Sequence, residues 1–226
     1  MTVAIKQGAV SVARVGETGG FRVSSGGQME LRAEARAVLN ARATRHSPLP
    51  LILALDGHDG AGKTTLARRL AAALDAPYVY PFSGAEGSRI LAAAESGGHA
   101  EAQRLASGLL HRAVANPAPV LVFDRHWMTL FTLLPESYWQ AWQPLPATML
   151  CWADLQTTMA RLDARDEEPM PLDWHRRYVD RYAALASRFG CRVVRTDLLS
   201  EDEAAAHLLG WAGQRLREAA FCGSGV

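Results

Sequence analysis

Cysteine is scarce in this chain of 226 residues. The sequence contains three cysteines, Cys151, Cys191 and Cys222, and they form no C-x-x-C pair and no cluster with histidine. Disulfide-stapled domains and zinc-binding folds depend on closely and regularly spaced cysteines. The pattern in this chain therefore predicts neither a disulfide framework nor a zinc site.

The sequence also lacks an excess of charge of one sign. It has 24 Lys and Arg residues against 23 Asp and Glu residues, a formal net charge of +1. Nucleic acids and anionic membranes are bound by strongly basic surfaces, so we expect neither as a partner. The longest apolar runs have the length of strands, and the N-terminus shows no signal-peptide pattern. We therefore expect a cytoplasmic protein.

A glycine-rich stretch is the strongest motif that the sequence does contain. Its residues Gly57, Gly62, Lys63 and Thr64 satisfy the phosphate-loop pattern G-x-x-x-x-G-K-[ST]. In such a loop the backbone N–H groups surround phosphate oxygens, the lysine reaches the β- and γ-phosphates, and the hydroxyl binds Mg²⁺. We predict that ATP is bound by Gly57, Gly60, Ala61, Gly62, Lys63, Thr64 and Thr65.

The surroundings of the motif favour this prediction over a glycine-rich surface turn with an exposed lysine. An apolar run typical of a strand, residues 51–55, precedes the loop, and residues 65–74 have apolar side chains at helical spacing. A helix that begins directly after the loop adds a partial positive charge at the phosphates. The sequence therefore supplies the strand, loop and helix that phosphate binding requires.

Apolar runs and helical patterns alternate along the rest of the chain. Strands are predicted at residues 51–55, 76–80, 119–123, 148–152 and 191–195, with helical stretches between them and after the last. This alternation predicts an α/β fold, a three-layer P-loop NTPase fold with a five-stranded parallel sheet flanked by helices. We divide the chain into an N-terminal extension plus helix, residues 1–47, and a P-loop domain, residues 48–226.

Charged residues stand at the ends of two of these predicted strands. Asp124 and Arg125 follow the run at 119–123, where a carboxylate can hold Mg²⁺ through water or position the attacking hydroxyl, and a guanidinium can bind a phosphate. The alternative is a helix-capping aspartate beside a surface arginine. Asp59, inside the loop, is expected to point toward the hydroxyl of an acceptor. Asp56 is expected to cap or to accept hydrogen bonds from N–H groups of the loop.

Two further sets of residues leave alternatives open. His58 is expected to face solvent, with contact to an acceptor as the alternative. A group of aromatic residues follows Asp124, and it can form either a flat wall for stacking a ring or ordinary core at helical spacing. Its members are Trp127, Phe131, Tyr138, Trp139 and Trp142.

The motifs together resemble those of thymidylate kinases. Residues 56–65, Asp-Gly-His-Asp-Gly-Ala-Gly-Lys-Thr-Thr, are similar to the phosphate loop of that family, and residues 120–126 are similar to its strand that ends in Asp-Arg-Tyr. The resemblance implies Mg²⁺-dependent transfer of the γ-phosphoryl group of ATP, with Asp59 and Arg125 at the acceptor. It also implies a lid at about residues 161–171 that carries catalytic arginines, here Arg161 and Arg165, and a homodimer formed through the helices between residues 88 and 115.

The chain departs from that family at the acceptor side. Where thymidylate kinases carry Arg-Glu-Pro-Gly-Gly, residues 80–86 read Tyr-Pro-Phe-Ser-Gly-Ala-Glu. The first arginine after the second predicted strand is Arg89. His126 replaces the tyrosine of the Asp-Arg-Tyr motif. We predict an ATP-dependent phosphotransferase acting on a nucleoside monophosphate, a nucleoside or a similar small hydroxyl acceptor. The alternatives are a natural-product or antibiotic kinase and a nucleotide-binding regulator without turnover.

Overall fold

The computed structural model describes residue 33, residues 50–165 and residues 170–221. Apart from residue 33, the predicted extension and helix at residues 1–47 lie outside the described residues. The division of the chain at residue 47 therefore stays a prediction. Part of the predicted lid, residues 166–169, also lies outside them.

The centre of the fold is one parallel sheet of five strands. The strands are β1 (Leu51–Asp56), β2 (Tyr78–Val79), β3 (Val120–Asp124), β4 (Ala147–Trp152) and β5 (Arg192–Arg195). They lie in the order β2-β3-β1-β4-β5, and every neighbouring pair is parallel. The predicted α/β class and five-stranded parallel sheet are thus confirmed.

Helices cover both faces of the sheet, as near-continuous apolar runs such as β3 require. They are α1 (Lys63–Leu74), α2 (Gly84–Glu95), α3 (His99–Val114), α4 (Trp127–Leu133), α5 (Leu155–Asp163), α6 (Leu172–Arg188) and α7 (Glu201–Phe221), with a 3₁₀ helix at Glu136–Trp142. No helix within the described ranges is long and apolar enough to cross a membrane.

Alternate strand residues feed two separate hydrophobic clusters. On one face, Leu53 and Leu55 pack with α1 and α7, which contribute residues such as Leu70 and Leu208. On the other face, Leu121 and Phe123 pack with helices that include α3, α4 and α6. Burial on both faces makes the sheet rigid, so the loops at its carboxyl edge are held in fixed positions.

The aromatic group that follows Asp124 belongs to the second cluster. Trp127 and Phe131 are each only 1% exposed. The ring of Phe131 stacks on that of Trp139, with centroids 4.5 Å apart. Tyr138 and Trp142 pack against the same cluster. Of the two interpretations drawn from the sequence, core is therefore the right one for this group.

Candidate active site

Backbone conformation at the glycines shapes the loop between β1 and α1. Gly57 has φ 146°, and a Cβ added there would lie 2.1 Å from the carbonyl oxygen of Cys151 on β4. Gly62 has φ 79° and immediately precedes the first residue of α1. A side chain at either position would collide or strain the backbone. Glycine at these two positions is what permits the loop to turn tightly from the sheet into the helix.

Lys63 is the buried cation of this loop. Its side chain is 5% exposed, and its Nζ donates a hydrogen bond to the carbonyl oxygen of His58 at 2.6 Å and lies 3.9 Å from Asp59 Oδ1. Burial and the nearby Arg125 lower the pKa of Lys63 to about 8, although Asp59 and Asp124 favour the ammonium form. The lysine thus remains mostly protonated at neutral pH while its positive charge is shielded from water.

Asp124 joins β3 to the first turn of α1. Its Oδ2 accepts hydrogen bonds from Thr64 Oγ1 at 2.6 Å and from the hydroxyl of Tyr78 at 2.8 Å. Burial, together with the bond to Asp124, raises the pKa of Tyr78 to about 12, so the phenol stays a donor. The predicted pair of Thr64 and Asp124 is thus brought into direct contact.

The residues around Asp124 fit a magnesium ion. Asp124 is fully buried, and its Oδ1 has no hydrogen-bond partner among the described residues. A buried carboxylate oxygen beside a threonine hydroxyl offers the hard oxygen ligands that Mg²⁺ prefers. The described residues contain no group of three or more His, Cys, Asp or Glu side chains arranged to hold a metal ion by themselves. An ion here would take its other ligands from water and phosphate, as Mg²⁺ commonly does.

Asp59 of the loop and Arg125, which follows β3, form an ion pair. Arg125 Nη2 donates to Asp59 Oδ1, and the side chain of Arg125 is 17% exposed. Burial opposes ionisation of Asp59, but the charges of Arg125 and Lys63 outweigh it and hold its pKa well below the ordinary value. Asp59 is therefore a carboxylate throughout the physiological pH range.

Asp56, at the end of β1, has a structural role. It is fully buried, and its two carboxylate oxygens accept hydrogen bonds from the backbone N–H groups of His126, Met128 and Thr129 at 3.0 to 3.3 Å. These donors are at the N-terminus of α4, where four N–H groups lack partners within the helix. The prediction that Asp56 caps or binds backbone N–H groups is confirmed, and the helix that it caps is α4.

A cavity of about 330 Å³ opens beside the Asp59–Arg125 pair. It is lined by the two charged side chains, by residues of α2 and α4, and by a set of aromatic residues. The aromatic residues that line it are Tyr80, Phe82, Trp174, Tyr178 and Tyr182. Trp174, Tyr178 and Tyr182 lie four residues apart on α6, so they occupy one face of that helix. These three aromatic residues were not predicted from the sequence to line a site, although their helical spacing is evident there.

His58 lies in the wall of this cavity, so the expectation that it faces solvent is wrong. Only 5% of His58 is exposed. Its Nε2 lies 2.8 Å from Nδ1 of His175, and its ring is parallel to that of Tyr178, with centroids 6.1 Å apart. Burial lowers the pKa of His58 to about 4, and the charge of Lys63 acts in the same direction against that of Asp59. The ring is therefore neutral at pH 7 and joins the loop to α6.

Arg161 contacts the loop but does not line this cavity. Its guanidinium donates hydrogen bonds to the carbonyl oxygen of Gly60 at 3.0 Å and to the carbonyl oxygen of Thr196 at 2.6 Å. Arg161 and Arg165 line a second cavity of about 360 Å³ together with Gly62 and Thr65 of the loop. The structure thus brings both predicted lid arginines next to the phosphate loop, with Arg161 fixing the loop backbone to the end of β5.

Comparison with known proteins supports the fold. No protein-family model and no curated protein matches the sequence. Deoxyadenosine kinase from M. mycoides with bound dATP aligns with a TM-score of 0.51 at 10% identity, over 70% of this chain and 97% of that chain. With bound dCTP, the same enzyme gives a TM-score of 0.49 at 10% identity, over 72% and 99%.

The YorR protein of Bacillus subtilis, in complex with phosphorylated GDP, has a TM-score of 0.49 at 18% identity, over 71% of this chain and 95% of that chain. At such low identities a structural likeness shows the fold alone. The alignment with dATP-bound deoxyadenosine kinase therefore supports the α/β fold of this chain, with its five-stranded parallel sheet flanked by helices.

Proposed function

We propose that this protein is a Mg²⁺-dependent kinase that transfers the γ-phosphoryl group of ATP to a hydroxyl group of a small acceptor the size of a nucleoside. One observation carries the proposal. Lys63 of the phosphate loop lies 3.9 Å from Asp59, which lines one ligand-sized cavity, and Gly60, Gly62 and Thr65 of the same loop line a second. A donor phosphate at the second cavity and an acceptor hydroxyl in the first would meet at the loop.

The donor side would hold the nucleotide. The loop N–H groups from Gly60 to Thr65 and the ammonium of Lys63 would bind the β- and γ-phosphates. The second cavity, beside Arg161 and Arg165, has room for the nucleoside part of ATP. We propose that Arg165 offsets charge that develops on the transferred group, while Arg161 keeps the Gly60 carbonyl in place.

Thr64 and Asp124 would hold the magnesium ion, which when bound neutralises phosphate charge. Asp124 accepts a hydrogen bond from Thr64, and its second oxygen remains available to a water or ion. These contacts support the proposed roles of both residues.

The acceptor side would orient the hydroxyl. Asp59 is ionised and 42% exposed toward the cavity, so it can accept a hydrogen bond from the attacking hydroxyl. Arg125 beside it can bind the transferred phosphoryl with its remaining N–H groups. The cavity volume of about 330 Å³ is at the small end of the range for ligand sites.

The finer relationship to thymidylate kinases is part of the proposal. It is supported by the loop at residues 56–65 and by the position of Asp124 and Arg125 at the end of β3. Homodimer formation through α2 and α3 and a location in the cytoplasm remain predictions from the sequence. The alternative of a regulator without turnover would not need an acceptor cavity beside the loop.

The proposal is tested by acceptor-dependent ADP release from Mg·ATP, measured with nucleosides, nucleotides and other small hydroxyl compounds. We expect Lys63→Ala to lower kcat by about a thousandfold, the scale of removing one electrostatic contact to a reacting group. Arg104→Ala is the matched control, because Arg104 is an exposed cation on α3 that pairs with Glu101. ATP binding without any acceptor-dependent release would instead favour the regulator.

A further inference from the structure

The charges that line the acceptor cavity cancel. Among its lining residues the side chains with formal charge are Asp59 and Arg125, one of each sign, and they are paired with each other. His58 also lines the cavity, but it is buried and neutral at pH 7. The formal charge of the cavity wall in the described residues is therefore zero at neutral pH.

Other cations are not part of the cavity lining. Arg89 is exposed and lines a different groove, between α2 and α3. Arg177 is exposed, with its guanidinium carbon 5.3 Å from the ring centroid of Tyr178, and it is not part of the cavity lining. Lys63 belongs to the phosphate loop, where its Nζ bonds to the His58 carbonyl. None of these three side chains lines the cavity.

The shape and chemistry of the wall suit an uncharged ring. Phe82, Ile90 and Leu133 provide apolar surface, and Trp174 and Tyr178 of α6 line the same cavity with their ring centroids 4.3 Å apart. Aromatic side chains bind flat rings by stacking and by burial of apolar area. A ring-bearing ligand placed there would direct its hydroxyl group toward Asp59.

We propose that the phosphoryl acceptor is an unphosphorylated, uncharged alcohol that carries an aromatic or heteroaromatic ring, and that nucleoside monophosphates are rejected. This inference rests on the proposed kinase function and names its substrate class. A phosphate monoester carries a charge of about −1.5 to −2 at pH 7. In this cavity it would lie beside the carboxylate of Asp59, and Arg125, which already pairs with Asp59, would have to hold the acceptor's own phosphate as well as the transferred phosphoryl group. Burying that charge without a partner would be unfavourable.

The test compares matched pairs of acceptors with the full-length protein and Mg·ATP. Adenosine, guanosine, cytidine and thymidine are each measured beside their 5′-monophosphates, and coniferyl alcohol represents ring-bearing alcohols that are not nucleosides. The expected result is that kcat/KM for the best unphosphorylated acceptor exceeds that for its phosphorylated counterpart by at least about a hundredfold, the scale of an unpaired buried charge. Turnover of a nucleoside or of coniferyl alcohol then identifies the source of the ring.

The other outcomes separate the inference from the kinase proposal. Equal or better turnover of a monophosphate overturns the inference and leaves the kinase function intact. Absence of turnover with every acceptor contradicts the kinase function, and tryptophan fluorescence then decides the inference, because Trp174 lines the cavity. Tighter binding of the unphosphorylated partner supports the inference, whereas tighter binding of the monophosphate, or binding of neither, overturns it.

A gain of positive charge sharpens the test. Ser88 is an exposed residue of α2 that lines the cavity, so Ser88→Arg places a cation beside the bound acceptor. We expect this variant to reduce the preference for unphosphorylated acceptors by about tenfold, the effect of one favourable charge contact. Ser107→Arg, at an exposed position of α3 away from the cavity, is the matched control and should leave the preference unchanged. An unchanged preference in both variants would contradict the electrostatic explanation.

Discussion

The two sides of the phosphate loop differ in how they are built. On the donor side, Thr64, Tyr78 and Asp124 are connected by hydrogen bonds of 2.6 and 2.8 Å, and Asp124 is fully buried. On the proposed acceptor side, the only formally charged side chains among the described residues that line the cavity are Asp59 and Arg125, and the rest of the wall is mainly aromatic and aliphatic. The donor side is suited to a metal and phosphates, and the acceptor side to a neutral ring.

This difference explains why a phosphate loop can be recognised from sequence while its acceptor cannot. Phosphate is bound largely by backbone N–H groups at fixed spacing, so the motif is continuous in the chain. The proposed acceptor cavity is lined by the loops that follow β1, β2 and β3 and by α2, α4 and α6, with residues that extend from His58 to Tyr182. Its chemistry depends on packing between distant elements.

Among the substitutions that distinguish the two sides, that of Asp124 should have the largest effect. The effect should be confined to the parameters of the donor side. Asp124→Asn removes the charge that would hold Mg²⁺, and we expect kcat to fall by roughly a hundredfold to a thousandfold, with half-maximal activity shifted to higher Mg²⁺ concentration. The KM for the acceptor should change little. Steady-state kinetics at varied Mg²⁺ check this. Asp180→Asn, at an exposed position of α6, is the control. An unchanged Mg²⁺ dependence would contradict the assignment.

Asp59 should show the opposite pattern. Asp59→Asn removes the carboxylate that faces the acceptor cavity and leaves Arg125 without its partner. We expect kcat/KM for the acceptor to fall about a hundredfold, while the Mg²⁺ concentration for half-maximal activity stays that of the wild type. The same titrations that are used for Asp124→Asn measure both quantities. If both variants changed the same parameter, the separation into donor and acceptor sides would be wrong.

Asp56 should affect stability rather than turnover. Its carboxylate bonds the N–H groups at the start of α4 and also accepts a hydrogen bond from Thr129 Oγ1 at 2.7 Å. We expect Asp56→Ala to lower the free energy of unfolding by roughly 2 to 3 kcal/mol, because buried donors lose their acceptor. Urea denaturation measures the change. A fall in kcat without loss of stability would assign Asp56 to the chemistry instead.

A pH-dependent loss of stability should be the smallest effect. Burial lowers the pKa of His126 to about 4. Below pH 6.5 the unfolded chain takes up a proton that the folded chain does not, so the free energy of unfolding should decrease as the pH falls from 6.5 toward 4 and be unaffected above that range. At pH 5, His126→Gln should recover roughly 2 kcal/mol of that loss.

Denaturation of the His126→Gln variant at pH 7 and pH 5 tests this expectation. His111→Gln, at an exposed position of α3, is the control. His58 is also buried with a lowered pKa, so part of the pH dependence should remain in the variant. An identical pH dependence in the wild type and in His126→Gln would show that His126 does not titrate in this window.

The elements of the fold were predicted well because their signals are local. The apolar run at β3 and the helical pattern of α1 depend on neighbouring residues, and the predicted strands agree with the observed ones to within a few residues. The hydrogen bonds from Arg161 to Gly60 and Thr196 join parts of the chain 101 and 35 residues apart, and no local pattern indicates them.

The proposed acceptor site shows more clearly what cannot be predicted from the sequence. The aromatic residues after Asp124 were candidates for a ring-stacking wall, but Trp127 and Phe131 pack inside the core. The aromatic residues that do line the cavity include Trp174 and Tyr178, spaced as one face of α6. Both groups have helical spacing, and only tertiary packing decides which of them faces a cavity. His58 was misjudged for the same reason, since its contact is with His175 on a distant helix.

The most direct test of the account follows the γ-phosphoryl group itself. The full-length protein is incubated with Mg²⁺, γ-labelled ATP and the best acceptor from the matched panel, and the products are separated to locate the label. With the wild-type protein we expect the label on the acceptor hydroxyl, and we expect Lys63→Ala to reduce this transfer about a thousandfold. Label released only as inorganic phosphate, or retained in bound ATP, would contradict the claim that the two sides of the loop act as one phosphotransferase site.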